Sequence, residues 1–214
     1  MPEPVQDDAH FNIDTDRHNC ARASGGLVLK DLSTQLAALA QSQPDTAAVR
    51  DAGGVSTYSA LHNWSNALGR RVTKTLGGAP KVCLVVAGFD RAAIAGMIGV
   101  LKTPHIFVAL DHALPPDNIA RVAAELGAAM CLYTPVAKTA VSAAGLAVPT
   151  LMISGPPDRA VPDPKPLHDL GRIACFKRSS GSTGDAKTAA FSAQAILTDA
   201  REGAAVNAIT PGAP

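Results

Sequence analysis

Nine consecutive residues, Ser179-Ser180-Gly181-Ser182-Thr183-Gly184-Asp185-Ala186-Lys187, bring together the groups that hold phosphate oxygens. A phosphate spreads its charge over several oxygens, so it is gripped by many donors converging from one side. Gly181 and Gly184 allow backbone N–H groups to turn inward, Ser179, Ser180, Ser182 and Thr183 add hydroxyls, and Lys187 adds positive charge. A nucleotide is therefore the candidate ligand, and these residues are the candidate nucleotide-binding set. The same composition also fits a flexible, solvent-exposed Ser/Gly turn. Gly181 to Thr188 further reads G-x-x-x-x-A-K-T, one residue from the Walker A loop G-x-x-x-x-G-K-S/T. Ala186 stands where that loop requires glycine, so a degenerate P-loop NTPase is a second reading.

The elements around the loop alternate. In LVLKDLSTQLAALA, Leu27 to Ala40, the residues Leu29, Leu32, Leu36 and Leu39 recur at helical spacing. AAVRDAGGVSTY reads as a β-hairpin turning at Ala52-Gly53-Gly54. Tyr58 to Leu76 is a second amphipathic helix, with Leu61, Trp64, Leu68 and Val72 on one face and Gly77-Gly78 as its stop. Lys81-VCLVVA is a continuous apolar run, the pattern of a strand buried on both faces. Asp90 caps a helix to about Lys102, His105-IFVAL is a strand, and Pro115 or Pro116 opens a helix to Leu126, closed by Gly127. MCLYT is the next strand, Val136 to Ala144 a weaker helix, and TLMIS at 150–154 a further strand. Residues 155–169 carry Pro156, Pro157, Pro162, Pro164 and Pro166 and read as a surface connection. Arg172-IACFK is a strand running into the glycine-rich loop, and Ala189 to about Glu202 reads as the helix after it. The expected fold class is α/β, a mostly parallel doubly wound sheet with flanking helices.

The 214 residues are enough for a core that needs no staples. Hydrophobic residues make up 47% and charged residues 17%, the balance of a soluble globular chain. Nineteen basic residues against eighteen acidic ones leave a formal charge of +1, which gives no footprint for nucleic acid or an anionic membrane. Ala92 to Leu101, the longest apolar-or-glycine run, is too short to span a bilayer. Met1 to Asn19 lacks the apolar stretch of a secretory signal. Cys20, Cys83, Cys131 and Cys175 form no Cys-x-x-Cys pair, so no zinc or redox motif is expected and a reducing cytoplasm is the expected location. His10, His18, His62, His105, His112 and His168 show no ligand spacing and read as solvated or core histidines. Trp64 reads as core. Asp111, at a strand end, reads as a turn or capping residue, with a ligand contact as the other possibility.

Phe176 to Thr188 resembles the signature loop of the adenylate-forming (AMP-binding) ligases, Y/F-x-S/T-S-G-S/T-T-G-x-P-K-G. That family comprises acyl-CoA synthetases, luciferases and the adenylation domains of nonribosomal peptide synthetases. The Ser/Gly core and Lys187 match, whereas Ala186 replaces proline and Thr188 replaces glycine. Ser56-Thr57-Tyr58-Ser59-Ala60-Leu61 followed by Asn66-Ala67-Leu68 resembles the family's L-T-Y-x-E-L…A-N-x-L-A segment. Leu101 to Asp111, continued by Leu114-Pro115, resembles L-K-A-G-x-x-Y-V-P-L-D, departing at Pro104, Ala109 and His112. The three stretches stand in family order and cover about residues 30 to 205.

The resemblance implies an ATP-dependent ligase that joins a carboxylic acid to AMP and releases pyrophosphate, using ATP with Mg2+. Ser179, Ser180, Ser182, Thr183 and Lys187 would hold ATP, with Gly181 and Gly184 permitting the turn. Coenzyme A or a carrier-protein thiol would be the acceptor. In the family the adenine and acid pockets, the magnesium-binding glutamate, the ribose-binding aspartate and the catalytic lysine all follow this loop. The expectation is thus a partial N-terminal lobe at 26–205, preceded by an extended or disordered leader at 1–25 and followed by a tail at 206–214. No residue is assigned a catalytic or metal-binding role, and residues 1–214 by themselves are expected not to form adenylates. A nucleotide-binding or interaction module that does not catalyse is the alternative from another class.

Overall fold

A computed structural model describes residues 31–164, 167, 169–178 and 187–207 of the protein. The expected leader at 1–25, loop residues 179–186 and residues 208–214 lie outside them.

Helix starts follow local side-chain chemistry. Asp31 opens α1 (Leu32–Ser42) by accepting from the Thr34 N–H at 3.0 Å. β1 (Ala47–Asp51) and β2 (Gly54–Thr57) form the expected antiparallel hairpin. Thr57 then caps α2 (Tyr58–Leu76), accepting from Ala60 N–H at 3.2 Å. β3 (Val82–Ala87) leads to α3 (Arg91–Leu101), where Asp90 accepts from Ala93 N–H at 2.7 Å. β4 (Ile106–Asp111) is followed by α4 (Pro116–Glu125), with Pro116 in the first turn, where its missing N–H costs nothing. Gly127, at φ 57°, takes the left-handed turn into β5 (Ala128–Tyr133). A single 3-10 turn at Pro135–Ala137 and the short α5 (Lys138–Ala143) precede β6 (Thr150–Met152). β7 (Ile173–Arg178), β8 (Thr188–Ser192) and α6 (Ala193–Val206) complete the described chain.

The main sheet has the order β6-β5-β3-β4-β7-β8, parallel except for β8. β3 sits inside it and is buried at every position, as its unbroken apolar run requires. Its alternate residues feed two cores. Cys83 and Val85 pack with Leu61, Trp64, Val72 and Val100 from α2 and α3. Leu84 and Val86 pack with Ile119, Val122 and Val141 from α4 and α5. Helices therefore cover both faces, the doubly wound α/β arrangement. α2 and α3 cross with almost no side chain between them: a Cβ added to Gly99 would lie 2.8 Å from Leu68 Cβ, and one added to Gly69 2.8 Å from the Gly99 carbonyl oxygen.

One sequence expectation is corrected and one is extended. The helix expected from Ala189 begins only at Ala193, because residues 188–192 form β8, paired antiparallel to β7 with Arg178 opposite Thr188 and Phe176 opposite Ala190. Ala189 and Ala190 favour helix locally, but pairing along the β7 edge overrides that preference. Ser192 then caps α6 by accepting from Ala195 N–H at 3.1 Å. The proline-rich connection forms no new element, yet it is more than a surface passage. Val161 donates its N–H to Asn63 at 3.2 Å and accepts from the Asn66 amide at 2.8 Å, which fastens the segment to α2.

The hairpin is latched to α3. Arg91 donates from its side chain to the Val55 carbonyl at 3.1 Å and to the Gly53 carbonyl, while its backbone N–H donates to Asp51 at 2.9 Å. The bond from that N–H is the main reason the Asp51 carboxyl sits below its ordinary value. Arg91→Ala keeps the backbone bond but frees the turn. It is expected to cost about 1 kcal/mol, with faster hydrogen exchange at the β1 and β2 amides and unchanged protection in β3.

Candidate functional site

The glycine-rich loop leaves the sheet at the carboxyl end of β7 and returns as β8. β7 lies beside β4, with Phe107 opposite Cys175, and beside β8 on its other edge. The residues that continue β7 are Ser179, Ser180, Gly181, Ser182, Thr183 and Gly184, all outside the described part. Lys187 is described and stands immediately before β8. The loop is therefore the connection of an antiparallel hairpin. A Walker A loop needs a helix directly after it, and the next helix here begins six residues beyond Lys187, after a strand. This geometry removes the structural context of the P-loop reading.

The strands that carry the loop are tied down on both sides. Arg178 donates to Glu125 at 2.6 Å, and the other Glu125 oxygen accepts from Arg121 at 2.7 Å, so the end of β7 is linked to the end of α4. The Arg178 bond, then the Arg121 bond, hold the Glu125 carboxyl below its ordinary value. Lys177 donates to Asp199 of α6 at 2.8 Å, and its ammonium lies 4.4 Å from the centre of the Phe191 ring. These ties fix the direction in which the loop leaves the sheet.

On the same end of the sheet, a cavity of about 360 Å³ opens between β3, β4, α3 and β1. Asp111 lies on its lining and also makes the turn expected of it, its Oδ1 accepting from Ala113 N–H at 2.8 Å. Trp64 is core, 4% exposed. Among the described residues, no group of three His, Cys, Asp or Glu side chains could hold a metal ion. No described helix is long and apolar enough to cross a membrane. Cys83, Cys131 and Cys175 are free and buried.

A second polar cluster, at the far end of α3, was not visible in the sequence. Lys102, 3% exposed, donates to Asn66, approaches His62 Nδ1 at 3.2 Å and pairs with Asp163 at 3.4 Å. His62 Nε2 also meets Asp163 at 3.3 Å. Burial lowers both cations, bringing Lys102 to about 8 against the upward pull of Asp163. Next to this cluster Arg172 donates to the Leu101 carbonyl at 2.6 Å, anchoring the start of β7 on the end of α3. The cluster pins the proline-rich connection and lies away from the loop.

The family model of AMP-binding enzymes matches residues 36–211. The chain belongs to the AMP-binding enzyme family. It is 32% identical over 176 residues to the nonribosomal peptide synthetase apmB of Penicillium brevicompactum, a match covering 78% of this chain and 7% of that protein. It is 34% identical over 170 residues to the antimetabolite synthetase AmbB of Pseudomonas aeruginosa, covering 75% of this chain and 13% of that protein. Among solved structures, the nonribosomal peptide synthetase FmoA3 superimposes with a TM-score of 0.71 at 20% identity, covering 85% of this chain and 19% of that one. VinN superimposes with a TM-score of 0.69 at 22% identity, covering 84% of this chain and 47% of that one. The structural likeness establishes the fold of an N-terminal part of an adenylate-forming enzyme. This AMP-binding family member thus spans a small fraction of the synthetases it resembles and about half of VinN.

Proposed function

We propose that the chain is the N-terminal part of an ATP-dependent, AMP-forming carboxylic-acid ligase, and that Ser179, Ser180, Gly181, Ser182, Thr183, Gly184 and Lys187 are its triphosphate grip. The observation that carries this reading is the family match across residues 36–211, which includes the loop, together with the loop's place between β7 and β8. FmoA3 is described in an AMPPNP-bound and an α-methyl-L-serine-AMP-bound form, and VinN in complex with L-aspartate, which favours an amino acid as the substrate. In the reaction a carboxylate oxygen attacks the α-phosphorus as the bond to the departing pyrophosphate breaks. The loop hydroxyls, backbone N–H groups and Lys187 would steady the β- and γ-phosphates through that step.

The donor set suits phosphate oxygens: hydroxyls, amides and one ammonium, with glycines where a side chain would block approach. Mg2+ would arrive with the nucleotide, and no described residue is assigned to it. The acceptor thiol would belong to coenzyme A or a carrier protein. The three buried free cysteines fit a reducing cytoplasm.

ATP–pyrophosphate exchange tests the reading. Residues 1–214 alone are expected to show background exchange with a panel of amino acids. Mixing with a polypeptide that supplies the remainder of an adenylation domain should raise exchange above background. Lys187→Ala should then lower it by about tenfold or more. Exchange by 1–214 alone would overturn the expectation that these residues do not form adenylates by themselves. ATP binding without exchange in any combination would favour the non-catalytic module instead.

A further inference from the structure

The cavity at the carboxyl ends of β3 and β4 has the build of a second, separate ligand site. Open α/β sheets take ligands outside the carboxyl ends of their strands, where the strand order reverses. Here the order reverses between β3 and β5, and the cavity stands one strand over, at the carboxyl ends of β3 and β4. The volume of about 360 Å³ lies within the range of small-molecule sites, about 300–1,000 Å³. Ala109 marks the opening: it sits mid-strand between β3 and β7, a position ordinarily buried on both faces of a parallel sheet, and yet it is exposed.

The body of the cavity is apolar, formed by Val49, Val85, Ile94, Met97 and Ala109. Its charges are unevenly committed. Arg91 spends its guanidinium on Asp51 and on the carbonyls of Val55 and Gly53, and Asp51 is consumed in return by Arg91 and the Gly53 N–H at 2.8 Å. Arg50 alternates with Val49 and Asp51 along β1 and so lies on the other face of the hairpin. Two carboxylates keep accepting capacity. Asp90 uses Oδ1 to cap Ala93 at 2.7 Å, and Asp111 uses Oδ1 toward Ala113 at 2.8 Å and His112 Nδ1 at 3.1 Å. Neither has a partner at Oδ2 among the described residues. Both residues line the cavity, and a Cβ added at Gly88 would lie 3.7 Å from Asp90 Oδ2 and 3.6 Å from His112 Nδ1, so the glycine keeps the space beside Asp90 open. Phe89, fully exposed beside Asp90, lines the entrance.

We propose that this cavity binds a small primary amine with an apolar, ring-sized body, its ammonium held by Asp90 and Asp111 and its body against Val85, Met97 and Ala109. Phe89 closes over the bound molecule and loses its exposure. The inference does not rest on the nucleotide reading, since no residue of 179–187 takes part.

The test is a titration of isotope-labelled 1–214, without ATP, with phenethylamine and separately with 3-phenylpropionate, followed by amide shifts at Ala93, Met97 and Ala109. Phenethylamine should give saturable shifts at these positions, and the acid should bind about tenfold more weakly or less. Asp111→Asn, which keeps the acceptor for Ala113, should weaken the amine about fivefold. Ala109→Phe should abolish binding by filling the cavity. If that variant loses the amide pattern of β3 and β5, Ala109→Leu serves in its place. Equal binding of the acid, unchanged affinity in the filled variant, or no saturable shift with the amine would each overturn the proposal.

Discussion

Replacing Gly99 with valine is expected to lower the stability of the fold by about 3 kcal/mol. A Cβ there meets Leu68 Cβ at 2.8 Å and the Ser65 carbonyl oxygen at 3.2 Å. Neither can swing away, because one is the first side-chain atom of a buried core residue and the other is backbone. α2 would have to move off α3, opening the layer that holds Trp64, Leu68, Val72 and Val100. Gly203 is the control. It lies in α6 with nothing within 4 Å of an added Cβ, so Gly203→Ala should raise stability by about 0.5–1 kcal/mol. Denaturant midpoints at constant slope check both, and a tolerated Gly99→Val would refute the close crossing.

Asp163→Asn should cost about 2 kcal/mol at neutral pH, and that loss should shrink as the pH rises. It leaves the Lys102 ammonium, 3% exposed, without its countercharge. Asp163 is itself half-exposed, which keeps the cost below the 3–5 kcal/mol or so of a fully buried pair. The pH dependence follows from proton counting. Lys102 sits at about 8 when folded and at 10.5 ordinarily, so between those values the unfolded chain binds more protons and stability rises with pH. Cys83 and Cys131 are pushed by burial from 9.0 up to about 12, so above pH 9 the folded chain binds more protons and stability falls. Two thiols outweigh one lysine. From pH 8 to 9 the lysine contributes about 1 kcal/mol but the thiols already offset most of it, so the wild type should be nearly flat over that range and decline beyond it. His62, also lowered by burial, adds a loss of stability as the pH falls through 6.5. In Asp163→Asn the Lys102 rise should begin below pH 8, and in Lys102→Met it should vanish. Thermal melts under reducing conditions from pH 6 to 10 read all three curves.

The strands and helices were legible where one residue type decides the local outcome. Asp90 caps the helix its position announces, Gly127 makes its turn, and the apolar run at Val82 to Ala87 is a buried strand. What could not be read depends on partners distant in the chain. Thr188 to Ser192 has the alanines of a helix and becomes a strand only because β7 offers an edge. Lys102 looks like a surface lysine until α2 and the proline-rich connection close around it. The nucleotide grip proposed for the loop rests on its composition and on the family match, since residues 179–186 lie outside the described residues. The cavity was invisible, because its walls come from β1, β3, α3 and β4 and no spacing links them.

The return of the chain from the loop as β8 has an electrostatic consequence. A loop that opens a helix shares its anion with the aligned peptide dipoles, about half a positive charge at the helix end. A hairpin offers no such field, because antiparallel strands cancel each other's dipoles. Beyond the partial charges of its own backbone N–H groups, positive charge at this loop must come from side chains, and within Ser179–Lys187 that side chain is Lys187. Raising ionic strength should thus weaken the proposed nucleotide contact, since the attraction between the Lys187 ammonium and the phosphates is screened.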